Sequence, residues 1–272
     1  MFSHHREIIP GVLTGKFITD DAPFPLCRQD LVPVRQFPND FSLLLVPISS
    51  PMFQNITVAP EFRALVPTFL GAFIEAEVTN SPTSPQLWQE IEAEGRRLCA
   101  TFTPETLKQQ PGIAATRAAY KACGKDPSRY RPAAEQLARR LLQGKDLYSV
   151  STLVDLGNLV SLRSGYATGL LDVAHIDGDL TLGVGREGEP YEGIGRGVLN
   201  IAGLPVYRDD VGAAATPTSD STRTMTSLET RRLLFIINAY DGHRAHTEAA
   251  VAYALELLRR YADARNERVV YY

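Results

Sequence analysis

From Ile56 onward the apolar and polar positions follow two periods in turn, and each change of period marks an element. "NITVAPEF" and "TFLGAFIEAEVTN" alternate at period two, the pattern of half-buried strands, and stop at the turn-rich "NSPTSP". "PQLWQEIEAEGRRL" switches to the helical period. Pro85 suits a first turn, Leu87, Ile91 and Leu98 share a face, and acids precede arginines as the helix dipole favours. "GIAATRAAYKACG", ending at Gly124, and "RPAAEQLARRLLQGK", running from Pro132 past Gly144, predict two more helices joined by the polar turn "KDPSRYR".

"STLVDLGNLVSLRSG" predicts a mostly buried helix capped by Ser151 or Thr152, because Leu153, Leu156, Leu159, Val160 and Leu162 cover too wide a face for a surface helix. Glycines punctuate "GDLTLGVGREGEPYEGIGRGVLNI" as they do twisted strands and tight turns. "RLLFIINAY" predicts a short strand after the loop "TPTSDSTRT", and "TEAAVAYALELLRRYADARN" a helix with Val251, Leu255, Leu258 and Tyr261 in register. Strands, helices, strands, helix in that order predict an α+β fold. Residues 1–55, proline-rich and weakly periodic, read as an irregular extension packed on a main domain of residues 56–272.

A chain of 272 residues can bury a sizeable core. With 44% apolar and 22% charged residues it has too much core material for a disordered chain. No apolar run approaches the ~20 residues of a membrane span, so no membrane partner is expected. "MFSHHREIIPG" has neither the basic start nor the apolar core of a signal peptide. Cys27, Cys99 and Cys123 are odd in number and far apart, which predicts reduced thiols and a cytoplasmic protein.

The net charge of −3 argues against binding nucleic acid over the whole surface. Locally the balance reverses. Between positions 117 and 145 the bases Arg117, Lys121, Lys125, Arg129, Arg131, Arg139, Arg140 and Lys145 face only Asp126 and Glu135. Such a stretch is either a solvated helix face or an RNA-phosphate footprint.

Motifs of chemistry are few. "GVGREG", Gly183 to Gly188, matches a dinucleotide fingerprint only in letters, since a strand rather than a helix is expected to follow it. His243 and His246 beside Asp241 and Glu248 have no third convergent ligand, so an exposed turn is expected there and no metal. Nothing resembles a nucleophile elbow, and no cofactor is expected. Hydroxyls are concentrated in "TPTSDSTRTMTS", where Thr216, Thr218, Ser219, Ser221, Thr222 and Thr224 surround Asp220 and Arg223. That loop is either a solvent-exposed connection or the polar wall of a small-ligand pocket.

Four segments in order, "TRAAYKACGKDPSRYRPAAEQLARRLLQGK", "LYSVSTLVDLGNLVSLRSG", "YEGIGRGVLNIAGLPVYRDD" and "TPTSDSTRTMTSLETRRLLFIINAYDG", resemble the free-standing B3/B4-domain proteins. These are relatives of the editing domain of the phenylalanyl-tRNA synthetase beta chain. The resemblance spans about Ile56 to Gly242, and "VSTLVDLGNLV" is similar to the "VNNVVDVTNYV" helix of the bacterial beta chain. It implies a mixed or antiparallel sheet flanked by helices, with a pocket for the aminoacyl end of a tRNA.

The resemblance matches Thr152, Asn158, Ser219 and Asp220 to the editing pocket; catalytic roles are expected for Thr152, Asn158 and Asp220, and substrate contacts for Ser219 and, from the hydroxyl-rich loop, Thr218 and Ser221. It departs at Gly169, where the synthetase's "QPLHAFD" carries a histidine. The expected activity is hydrolysis of mischarged aminoacyl-tRNA by an oriented water. Arg117, Lys121, Lys125, Arg129 and Arg131 are expected to meet tRNA phosphates. Two alternatives stand beside it: a non-catalytic tRNA- or RNA-binding module, and an enzyme acting on another small molecule.

Overall fold

The computed structural model describes residues 53–272, and the strand Arg232–Ala239 lies at its centre. Seven of its eight residues are buried, because helices pack on one face and a second sheet on the other. A strand with no solvent face has no need of polar alternation, which is why "RLLFIINA" reads as a continuous apolar run.

In chain order the first half forms β1 (Ile56–Val58), α1 (Pro60–Leu65), β2 (Leu70–Glu77), α2 (Pro85–Thr101), α3 (Pro111–Ala122), α4 (Ala133–Leu142) and α5 (Thr152–Ser164). There follow β3 (Ala167–Asp172), β4 (Leu180–Val184), β5 (Glu192–Gly193), β6 (Gly197–Val198), β7 (Pro205–Arg208) and β8 (Ala213–Ala215). The chain then forms β9 (Arg232–Ala239), α6 (Arg244–Tyr261) and β10 (Arg265–Tyr271). The fold is α+β, as the order of elements predicted.

One sheet, ordered β10-β2-β9-β3, is antiparallel throughout. The other, β1-β4-β7-β8, is mixed, with β1 parallel to β4 and the remaining pairs antiparallel. Period-two geometry divides the core in two. Leu233, Phe235 and Ile237 of β9 point with Ala72 and Ile74 of β2 toward α2, α5 and α6. Leu234, Ile236 and Phe73 point the other way, against Leu180, Leu182 and Tyr207 of the mixed sheet. Burying each large aliphatic side chain contributes about 1.5–3 kcal/mol, and this three-layer arrangement does so for both faces of the central sheet. Glu75, alone among its apolar neighbours in β2, is held by Arg268, whose Nε donates to it at 2.9 Å, and by Arg232.

α5 is as dry as its sequence predicts, with Leu153, Leu156, Leu159 and Val160 all at 0% exposure. It ends at Gly165, left-handed at φ 76°, which closes the last turn. α2 begins at Pro85 with Ser84 as its cap and buries Leu87, Ile91 and Leu98.

Two expectations are corrected, and a third falls outside the described residues. "NITVAPEF" is a strand only as far as Val58, since Pro60 fits a first helical turn and starts α1 instead. β3 and β10 were not legible as strands. β10 follows α6 through a turn with Asp263 and Asn266 at positive φ, and the helix is therefore not the last element. The extension expected over residues 1–55 lies outside the described residues except for Phe53, Gln54 and Asn55. Cys27 also lies outside them, while Cys99 is exposed, Cys123 is buried and both are free thiols. Among the described residues no helix is long and apolar enough to cross a membrane.

Candidate functional site

The "TPTSDSTRT" loop crosses the end of α5 and β3, and a cavity of about 380 Å³ opens beneath it. Asn158 and Ser161 of α5 form one wall, Thr168 and Leu170 of β3 the floor, and Thr218, Ser219 and Asp220 the wall opposite. The remaining side is closed by Gln136 of α4 and by Ile194 and Arg196 from the connection between β5 and β6.

Two glycines stand beside this geometry. A Cβ on Gly157 would fall 2.4 Å from Leu170 Cδ1, so a larger residue there would make the Leu170 side chain move. A Cβ on Gly169 would lie 3.3 Å from Asp220 Oδ1. The Asp220 carboxylate therefore rests against bare backbone.

The hydroxyls of the loop divide by task. Thr216 Oγ1 accepts the N–H groups of Thr218 and Ser219 at 3.2 Å each and donates to the Ser219 carbonyl at 3.0 Å, folding the loop upon itself. Thr218 Oγ1 shares a hydrogen bond of 2.9 Å with the buried phenol of Tyr120, while Tyr191 donates to the Ser219 carbonyl at 2.6 Å. Thr224 donates to the Ala214 carbonyl at 2.7 Å. Arg223 turns away from the cavity and grips Asp209 through two bonds of 2.8 and 2.9 Å. That pairing offsets the burial of Asp209 and holds its carboxyl below the usual range.

Asp220 is the exception. Its carboxylate accepts one backbone hydrogen bond, from Leu170 N at 3.0 Å, and no cation reaches it among the described residues. Burial pushes its pKa up to about 7, against the lowering effect of the Leu170 N–H. An acid so poorly provided with donors accepts a ligand's proton donor or cation readily. Asn158 faces the same cavity from α5, and no protein hydrogen bond of its side-chain amide occurs among the described residues.

The structure thus brings Asn158, Thr218, Ser219 and Asp220 around one cavity. It does not bring Thr152 there. Thr152 is 2% exposed at the start of α5, where its hydroxyl meets Ser81 Oγ at 3.0 Å, so the resemblance matches its position but not a place on this wall. Ser221 is also displaced, lining a separate groove with Tyr191 and Arg223.

The five bases expected on RNA do not form one surface. Lys121, Arg129 and Arg131 are exposed. Arg117 instead bonds Glu135, wholly buried, at 2.9 Å, and Arg139 bonds the same carboxylate at 2.8 Å. Lys125 is 8% exposed and donates to the carbonyls of Asn200 and Ala202 at 2.8 and 2.7 Å. Desolvation lowers its pKa. In one-dimensional charge counting a buried cation and a solvated one look alike, which is why the stretch read as continuous.

The dinucleotide-like glycines run from β4 into a turn that leads to β5, with no helix to receive a phosphate. His243 and His246 are exposed at the start of α6, and His246 Nε2 lies 2.9 Å from the Ser164 carbonyl. Among the described residues no three His, Cys, Asp or Glu side chains converge to hold a metal. Sequence reasoning missed Gln136 and Arg196. The only signal for Arg196 was its setting between glycines in "GIGRG".

A family model for the B3/4 domain matches residues 115–269, which include every residue of this cavity wall. No curated protein matches the chain. Among solved structures it is similar to an N-terminal fragment of the phenylalanyl-tRNA synthetase beta-subunit from Pyrococcus horikoshii, at 11% identity and a TM-score of 0.40. That similarity covers 80% of this chain and 51% of the other, so the chain spans about half the length of the structure it resembles.

Proposed function

The chain belongs to the B3/4 domain family, and from that premise we propose that it is a tRNA-directed ester hydrolase that removes wrongly attached amino acids in trans. The observation that carries this reading is the Asp220 carboxylate, set in a cavity of ligand size with a single backbone donor and with the Asn158 amide across from it. An aminoacyl ester presents an α-ammonium group at a fixed distance from an activated carbonyl. A carboxylate that lacks a cation and an amide that can both donate and accept fit those two needs.

In this reading Asp220 holds the ammonium group and so fixes the ester's position. The Asn158 amide orients the attacking water or donates to the developing oxyanion. Water oxygen bonds to the carbonyl carbon, the bond from that carbon to the ribose oxygen breaks, and the water's proton ends on the released ribose hydroxyl. The products are a free amino acid and an uncharged tRNA. Thr218 and Ser219 shape the wall through the bonds they make to Tyr120 and Ile194. The tRNA body is met by the exposed bases Lys121, Arg129 and Arg131.

The test is a screen of mischarged tRNAs followed by single-turnover deacylation with the Asp220→Ala variant. Removal of one or two charge-assisted hydrogen bonds near the reacting centre is expected to slow hydrolysis roughly tenfold to a thousandfold while tRNA binding survives. Equal rates in parent and variant would remove Asp220 from the site. Binding without release of any amino acid would favour a non-catalytic RNA-binding module.

A further inference from the structure

We propose that Arg196 is the phosphate-binding residue of this cavity, reading the phosphodiester that joins the aminoacylated nucleoside to the rest of the RNA. The identity of the ligand rests on the deacylase reading, whereas the anion site itself rests on geometry. Arg196 is the single cation among the residues that line the cavity, and it is exposed, whereas Asp220 on the cavity wall is half-buried.

The hairpin of β5 and β6 places it there. Gly195 and Gly197, left-handed at φ 67° and 64°, bracket Arg196 and make the tight turn without side chains of their own. The hairpin is tied to the Asp220 segment rather than left free. Ile194 N donates to the Asp220 carbonyl at 3.0 Å, Thr222 N donates to the Glu192 carbonyl at 2.9 Å, and Ser219 Oγ donates to the Ile194 carbonyl at 3.2 Å. The segments that carry Asp220 and Arg196 therefore belong to one hydrogen-bonded unit.

The guanidinium's partner is the side-chain oxygen of Gln136, and no carboxylate reaches it among the described residues. Gln136 is itself held, its Nε2 donating to the Arg131 carbonyl at 2.7 Å and to the Thr218 carbonyl at 3.4 Å. A neutral acceptor orients an arginine without neutralising it, which leaves the remaining N–H groups of the fork and the full charge for a ligand. The lining also carries exposed apolar surface, with Val150 65%, Ile194 44% and Met225 44% exposed. Apolar surface of this kind suits the flat faces of a nucleoside. A ligand that matches all three features carries a cation, a ring and an anion set apart from the cation. An aminoacyl nucleotide does so, and a free amino acid, whose charges are adjacent, does not.

The test compares Arg196→Ala and Arg196→Lys with the full-length parent on two substrates: a mischarged tRNA, and the same amino acid esterified to adenosine, which has no phosphate. Arg196→Ala is expected to raise the half-saturating tRNA concentration about tenfold, the effect of one charge-assisted hydrogen bond, with the rate at saturation little changed. It should leave hydrolysis of the adenosine ester unchanged, and Arg196→Lys should recover part of the tRNA loss. An equal loss on both substrates would reduce Arg196 to a strap between the hairpin and α4, and no loss on either would overturn the proposal.

If the parent hydrolyses neither ester, the deacylase reading fails and the anion site is judged by binding alone. The parent should then bind adenosine 5′-monophosphate about tenfold more tightly than adenosine, and Arg196→Ala should abolish that preference. A parent without the preference, or a variant that keeps it, would overturn the proposal.

Discussion

The backbone of Gly169 supports the carboxylate of Asp220: a Cβ at Gly169 would lie 3.3 Å from Oδ1 and 3.8 Å from Oδ2, while the next residue's N–H bonds Oδ2 at 3.0 Å. The carboxylate is thus positioned by an absent side chain. Gly169→Ala is expected to displace it by a few tenths of an ångström and slow deacylation several-fold. Gly169→Val adds branched methyls where the carboxylate sits and should destabilise the fold by about 1–3 kcal/mol. Thermal melting and single-turnover hydrolysis measure the two effects, and a valine variant with parental activity would show that Asp220 does not depend on Gly169.

Because burial raises the Asp220 pKa to about 7, above its ordinary aqueous value, the folded protein binds this proton more tightly than the unfolded chain. The associated stability is fully present below the unfolded carboxyl pKa, and it is lost as pH rises through about 7. Asp220→Asn, isosteric and uncharged, lacks that loss. Urea unfolding at about pH 5 and about pH 8 should therefore show the parent losing stability relative to Asp220→Asn as pH rises. Identical pH dependence in the two proteins would contradict the raised pKa.

Charge substitutions should separate the basic stretch into two classes. Arg117→Ala leaves the buried Glu135 with Arg139 alone and is expected to cost about 3 kcal/mol of stability. Reversing Arg129 and Arg131 together should change stability little. It should weaken tRNA binding at low salt and reduce the slope of log K against log salt by about one for each phosphate no longer neutralised. Denaturant unfolding and salt-dependent binding distinguish the classes, and an unchanged salt slope would place the RNA elsewhere.

Thr152 offers a direct comparison between resemblance and structure. Its hydroxyl bonds Ser81 at the start of α5 and does not line the cavity, so Thr152→Val should cost about 1 kcal/mol of stability and leave deacylation within about twofold. A large kinetic loss in a stably folded Thr152→Val protein would mean that this hydroxyl reaches the substrate.

The sequence by itself determined the elements whose burial is written in one period. α5 was legible because its leucines exceed any surface face, and α2 because Pro85, Leu87, Ile91 and Leu98 fall in helical register. The hydroxyl-rich loop around Asp220 and the α+β class were legible for the same local reasons. β10 was not, since half-exposed residues on an edge strand carry no pattern that distinguishes them from a tail. Nor could the sequence decide which bases are free. Arg117 and Lys125 are committed to Glu135 and to two carbonyls 75 and 77 residues away, and such pairings exist only after folding. The cavity itself is a tertiary product. Asn158, Gly169, Arg196 and Asp220 meet because α5 packs on β3 with Gly157 against Leu170 and because the β5–β6 hairpin bonds to the Asp220 segment. Local propensity records what a residue does to its neighbours in the chain, whereas a site depends on pairings between segments that the chain keeps far apart.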